Sequence, residues 1–346
     1  GGYDEWHVDI TDAIQRFISS DASKRFKGKV PLVIRVDNSR DTEMMPSDLS
    51  DFNLYGGIYR YLNLVYTPST SLSKLQLDAS VDEKGKKGDV SVLLQLDGNV
   101  ADIKSVEVAI YTSTDKLVGK QNIDVANINK DGSVMSFEVK KPELWSPDTP
   151  ALYTCQVTVE AGNETTTYQD KFGFRHFEFV KHGPFKLNGK RLLLRGTHRH
   201  EDHAGVASAM TEDMIIEEME LMKAMGVNFI RLGHYQQSRI VLEQCDRLGI
   251  LVWEEIPWCR GGLGGEVYQK QGIDMLTNMI TQHRNHPSVI LWGLGNENDW
   301  PNDFPEFDKQ KIREYMTKLH NLSHELDDSR LTAIRRCDFC SDIIDV

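Results

Sequence analysis

"SVILWGLGNEND", residues 288–299, decides how this chain is read. A nearly unbroken apolar and glycine run passes straight into Asn296, Glu297, Asn298 and Asp299. A short apolar run without period-two alternation reads as a strand buried on both faces, and such strands belong to parallel sheets covered by helices. The same pattern recurs in "RLLLRGTH" (191–198), "VNFIRLGH" (227–234), "ILVWEEI" (250–256) and "RLTAIRR" (330–336), and "DIIDV" (342–346) is expected to start a sixth strand. Helical patterns lie between them. In "TEDMIIEEMELMKAMG" (211–226), Thr211 can cap the start and Gly226 can end it, with Ile215, Met219, Met222 and Met225 on one face. "SRIVLEQCDRLG" (238–249) is a second helix, and two more are expected over about 266–286 and 306–327.

Polar residues gather just after the strands: His198 to His203, His234, Glu254 and Glu255, and Asn296 to Asp299. That is the C-terminal rim of a parallel sheet, where (β/α)8 barrels keep their chemistry. A doubly wound sheet also binds ligands there, so topology alone leaves both open. No GxGxxG fingerprint follows any strand. "GGLGGE" (261–266) lacks the Lys-Ser/Thr of a phosphate loop and reads as a flexible rim loop.

The first half has a different grammar. "KVPLVIRVDNS" (29–39) and "GGIYRYLNLVYTP" (56–68) read as strands rich in β-branched and aromatic residues. From about 69 to 178 short strands recur between polar turns, among them "VSVLLQLDG", "SVEVAIYTS", "SVMSFEVKK" and "LYTCQVTVE". That spacing is the signature of a β-sandwich.

Bulk properties exclude more than they assign. The formal net charge of -12 over 346 residues disfavours nucleic acid and anionic membrane as partners. No apolar run approaches the roughly 18 residues of a membrane span. Five cysteines, including Cys337-x-x-Cys340, are too few and too scattered for a disulfide framework.

Glu297 is the first catalytic candidate. An apolar strand end favours the protonated form of a carboxylate, as a general acid requires; the competing reading is a rim glutamate paired with arginine. Asn296 can both donate to and accept from a sugar hydroxyl. Strand alternation would point the two side chains apart, so both reach one site only if the strand end is irregular. "HRHEDH" (198–203) lacks the HExxH spacing of a zinc helix and reads first as a hydrogen-bonded rim network, with metal ligation and substrate contact as the other readings. Arg231 is expected in a buried ion pair. Trp258 and Trp300, in loops, are candidate platforms for sugar faces, while Trp253 and Trp292 divide between that role and core filling.

"LLLRGTHRHEDH", "FIRLGHYQQS", "CDRLGILVWEE" and "RNHPSVILWGLGNEND" together resemble glycoside hydrolase family 2, the family of β-galactosidases, β-glucuronidases and β-mannosidases. "SDFNLYGGIYR" and "PELWSPDTPALYT" resemble that family's sugar-binding jelly roll and immunoglobulin-like sandwich. The resemblance implies a partial jelly roll over 1–67, an immunoglobulin-like β-sandwich over 68–178, and a (β/α)8 TIM barrel from 179 to 346, truncated after about five strands. It implies retaining hydrolysis of a terminal non-reducing β-glycoside. Glu297 would be the acid/base. Asn296, His200, His234 and Asp51 would contact the sugar, with Arg195, Arg231 and Glu255 supporting the rim.

The expected substrate is a β-galactoside, with β-glucuronide and β-mannoside as alternatives. The family's nucleophilic glutamate follows a seventh strand, and Glu306, Glu314 and Glu325 cannot be it. The expectation is therefore an internal fragment, and a non-catalytic carbohydrate-binding piece is the reading from another class. A substitute nucleophile at Glu255 would have to lie about 5 to 5.5 Å from the Glu297 carboxyl. "EEIPWCRGG" (254–262) lacks the Glu-x-His magnesium pair of the best-known β-galactosidases, so neither metal nor cofactor is expected. The expected partner is a β-linked oligosaccharide or glycoside. A homo-oligomer is left open, and a periplasmic or secreted location is favoured over a cytoplasmic one.

Overall fold

A computed structural model describes residues 2–47, 49–128, 132–301, 304 and 306–346. The N-terminal segment carries two short helices, α1 (Thr11–Ile18) and α2 (Ala22–Arg25). The strands expected over 29–39 and 56–68 are not formed among the described residues. The backbone there joins no sheet, and Val33, Val65 and Tyr66 lie exposed. A strand needs a neighbour to satisfy its N–H and C=O groups. The apolar and β-branched content of these stretches encodes extended conformation but not the presence of that neighbour, so the jelly roll is not seen as a sheet. The segment is held by side chains instead. Met45 is buried in the cluster that fills the helical layer, and Asn278 Nδ2 donates to Asp4 at 2.9 Å.

Seven strands follow: β1 (Thr70–Val81), β2 (Lys87–Gly98), β3 (Ile103–Tyr111), β4 (Leu117–Ile123), β5 (Ser133–Lys140), β6 (Tyr153–Ala161) and β7 (Glu164–Phe172). They form two antiparallel sheets, ordered β1-β2-β5 and β4-β3-β6-β7. The sequence alternation maps onto burial: every second residue of "SVMSFEVK" in β5 is buried. Val90, Val92 and Leu94 share one core with Val106, Val108 and Val157. Each such side chain contributes about 1.5–3 kcal/mol on full burial.

A small sheet of β8 (Phe177–Phe179), β9 (Phe185–Leu187) and β10 (Lys190–Arg191) leads to five parallel strands. These are β11 (Gly196–Arg199), β12 (Phe229–Leu232), β13 (Leu251–Glu255), β14 (Val289–Asn296) and β15 (Leu331–Arg335), hydrogen-bonded in chain order. Helices α3 (Glu212–Ala224), α4 (Arg239–Leu248), α5 (Glu266–His283) and α6 (Lys309–Leu326) connect them. Thr211 caps α3 as expected, accepting from the Met214 N–H, whereas Met225 is exposed. Residues 342–346 do not form the expected sixth strand. They turn back on β15, with the Val346 N–H donating to the Thr332 carbonyl at 3.1 Å.

Alternation along the sheet separates two cores. Ile230, Val252 and Trp292 pack with the helices. Leu251 and Leu291 pack with Phe185 and Leu187 of β9 and with Trp145 from the loop between β5 and β6. The indole of Trp145 donates to the Asp246 carbonyl at 2.9 Å, tying that loop to α4. All five cysteines are buried and free.

Candidate active site

The register of the parallel strands brings the rim residues together. His198, Arg231 and Trp253 lie side by side on β11, β12 and β13, and Glu255 lies opposite Gly293 of β14. Neighbouring Glu254 points to the other side, where His283 of α5 meets it at 2.8 Å. Gly293 is required by this approach, since a Cβ there would overlap the Glu255 Cβ and the Trp253 indole nitrogen. Gly293→Ala is expected to cost about 1–3 kcal/mol through overpacking. A shift in the urea midpoint measures this, and an unchanged midpoint would show that the two strands can move apart freely.

Glu255 is fully buried and engaged on both oxygens. Arg231 donates to it through Nε at 2.9 Å and Nη2 at 2.8 Å, and His234 Nδ1 lies 2.6 Å from Oε1. The buried ion pair expected of Arg231 is present. The same Nη2 also donates to Asn296 Oδ1 at 2.9 Å, so one guanidinium aligns β12, β13 and β14. These donors fix the Glu255 carboxylate in orientation inside the sheet.

The end of β14 is irregular. The pairing of β14 with β15 shifts between Gly293 and Asn296, and Glu297 has φ +55°. This left-handed residue breaks the alternation that would have carried Asn296 and Glu297 to opposite faces. Asn296 is buried, with its amide donating to Cys259 Sγ at 3.3 Å. Glu297 keeps some solvent exposure and pairs with Arg335 at the end of β15. The rim ion pair with arginine therefore falls on the residue expected to act as the acid/base.

Three imidazoles cluster at the ends of β11 and β12. The ring centroids of His198, His200 and His234 are 5.0, 5.0 and 5.3 Å apart. Partial desolvation, with help from His234 and Arg231, pushes His198 down to about 4. Desolvation and His234 likewise lower His200. The His200 Nδ1 is buried and has no hydrogen-bond partner among the described residues.

The sign of the His198 effect follows from linkage. A histidine whose folded value is depressed contributes stability above its unfolded value, near 6.5, and loses it as pH falls toward about 4. The His198 ring is therefore expected to titrate near pH 4 by NMR. Titration near 6.5 would show that neither desolvation nor the neighbouring cations act on it.

The N-terminal segment covers the same rim. Asp51 Oδ1 lies 3.7 Å from Cys259 Sγ, and one Asp51 oxygen falls within 4.8 Å of a His234 nitrogen. Phe52 packs beside His200 and His234, with centroids at 5.9 and 6.2 Å. Arg60 donates to Glu201 at 3.2 Å and to the Gln236 carbonyl at 2.8 Å.

This arrangement, a carboxylate and an amide at the end of the fourth parallel strand with three clustered histidines at the ends of the first two, coincides with two family matches. Residues 179–345 match the model of the glycosyl hydrolases family 2 TIM barrel domain, and residues 66–175 match the model of glycosyl hydrolases family 2. The chain belongs to glycoside hydrolase family 2. It is similar to the crystal structure of Parabacteroides merdae β-glucuronidase, with a TM-score of 0.96 and 59% identity, covering 100% of this chain and 43% of that one. A Formosa agariphila protein provisionally named as a β-glucuronidase is 42% identical over 353 residues, covering 100% of this chain and 40% of the relative. A β-galactosidase of Thermoanaerobacter pseudethanolicus is 28% identical over 337 residues, covering 96% of this chain and 42% of the relative. The chain thus spans less than half the length of each.

Not every residue expected at this family 2 site is there. Trp258 is fully buried, packed edge-on against Tyr315 at 5.0 Å with its indole donating to the Gly262 carbonyl, so it offers no face to a sugar. Trp300 remains exposed beside Glu297, flanked by the guanidinium groups of Arg260 and Arg336 at 5.0 and 4.8 Å. Arg195 lies at the opposite end of the sheet. It precedes β11, and its Nε donates to the Gly226 carbonyl where α3 ends, because the strand begins only at Gly196. The loop at 261–266 is not free: Gly261 and Gly262 are buried, and Gly261 lies against the Trp300 backbone. Arg335 and Arg60 carry no local signal of their roles, and Glu201 stands out only as an acid of the HRHEDH cluster. Each is a charged group near a strand end or in a family motif, but its partner lies far away in the chain.

Proposed function

We propose that this chain carries the acid/base half of a β-glucuronidase active site, acting on terminal β-linked glucuronides. The placement of Glu297 beside Asn296 at the end of the fourth barrel strand supports the reaction class, with retention of configuration inferred from the family. Glu297 would protonate the glycosidic oxygen and then deprotonate water. Asn296, His200, His234 and Asp51 line the space where the sugar would sit, and Trp300 would flank the leaving group. Arg231 and Glu255 hold Asn296 and His234 in place. Glu314 and Glu325 lie on α6, which packs on the sheet's outer face, so neither is proposed as a nucleophile.

The sugar assignment rests on the relatives. Full coverage at 59% and 42% identity by proteins named as β-glucuronidases outweighs 28% identity to a β-galactosidase, so glucuronide replaces galactoside as the leading substrate. The test is turnover of aryl β-glucuronide, β-galactoside and β-mannoside side by side by a form of the protein that carries this chain together with a nucleophilic carboxylate. Cleavage of the glucuronide alone is expected. Preferential cleavage of the galactoside would overturn the assignment, and sugar binding without turnover of any would support a carbohydrate-binding role.

A further inference from the structure

We propose that His198, His200 and His234 form a binding site for a transition-metal ion of the Zn²⁺ class, joining two histidines of the HRHEDH cluster to His234 from the next strand end. One ring nitrogen from each histidine lies within 4.8 Å of the others. The spacing of the rings is the telling feature. Imidazoles bound at about 2.0–2.1 Å and at tetrahedral angles would hold their centroids roughly 5 Å apart. The three centroid distances here are 5.0, 5.0 and 5.3 Å. The centroid spacing is that of a three-histidine centre, and turning the rings would bring one nitrogen of each toward a common ion.

Two further observations point the same way. His234 Nδ1 lies 2.6 Å from Glu255 Oε1, so its proton faces the carboxylate and the Nε2 lone pair is left for an ion. A carboxylate behind a ligating histidine is the common outer shell of metal-bound imidazole. His200 Nδ1 is buried with no partner among the described residues. Gly233 makes the space, since a Cβ there would overlap the His198 ring.

Three protein ligands leave a fourth position open. That position falls in the space proposed for the sugar, so the ion would compete with substrate. Metal binding is measured without substrate, so its failure would leave the glycosidase reading untouched.

The experiment is a titration of chelator-treated protein with Co²⁺ as a visible surrogate for Zn²⁺. It is carried out in a His324→Ala background, because His320, His324 and Asp345 form a separate group of three donors; a further group, Asp51, His234 and Cys259, shares His234 but offers only one imidazole, so the His198→Ala variant and the ligand shell tell it apart. Binding of one ion with the absorption bands of a tetrahedral site is expected. His198→Ala should weaken binding by more than the roughly 10- to 100-fold typical of losing an outer-shell partner. Unchanged Co²⁺ affinity in that variant would overturn the proposal. X-ray absorption of the Zn²⁺-loaded His324→Ala protein gives a second readout that does not depend on His198→Ala folding. Three imidazole nitrogens at about 2.0–2.1 Å are expected, and fewer than three would overturn the assignment.

Discussion

In a form of the protein that also supplies the nucleophilic carboxylate, Glu297→Gln is expected to lower turnover of an aryl β-glucuronide by about 10²- to 10⁴-fold, the range that a positioned general acid–base group supplies. Glutamine keeps the size and much of the hydrogen-bonding capacity of glutamate. It can neither give a proton to the glycosidic oxygen nor take one from water. The loss should therefore appear mainly in kcat, with substrate affinity changed far less. It should also depend on the leaving group. A nitrophenolate departs without a proton, so its release step is spared while the step that activates water is not. A small anion such as azide needs no base, and should restore turnover in Glu297→Gln without accelerating the parent protein. Equal turnover by parent and variant would remove Glu297 from the chemistry and leave its pairing with Arg335 as its whole role.

The physics that made parts of this site legible also explains what stayed hidden. Apolar runs ending in polar residues located the strands of the parallel sheet and its reactive rim, because burial on both faces and exposure at one end are composition effects. Alternation accounts for the division between Glu254, which meets His283, and Glu255, which meets Arg231. It could not show that Glu297 adopts φ +55° and so escapes alternation, because that depends on pairing with β15.

Trp258 was misplaced for a related reason. A tryptophan in a loop is exposed only if the loop is, and this loop packs inward between Tyr315 and Gly262. The stretches before Ser69, which join no sheet, mark the sharpest limit. Their composition favours extended backbone, but a sheet requires hydrogen-bond partners that no local pattern encodes.

Glu255→Ala is expected to destabilise the protein by about 3–5 kcal/mol, the cost of leaving a buried ion-pair partner uncompensated. Arg231 would lose both hydrogen bonds to the carboxylate inside the sheet, and His234 would lose its short contact with the same group. The cost should fall mainly on the abandoned charge. Replacing both members together, as Arg231→Met with Glu255→Leu, is therefore expected to recover much of the lost stability. Urea unfolding of the parent, the two single variants and the double variant measures the coupling. A cost near zero for Glu255→Ala would mean that water reaches the pair. Binding should separate from stability in this series. Arg231 Nη2 also holds Asn296 Oδ1, so the double variant would regain a stable sheet while leaving the Asn296 amide unoriented. Sugar affinity should stay low in that variant. Recovery of both stability and affinity would show that Asn296 keeps its orientation without the guanidinium, and that Arg231 serves the fold alone.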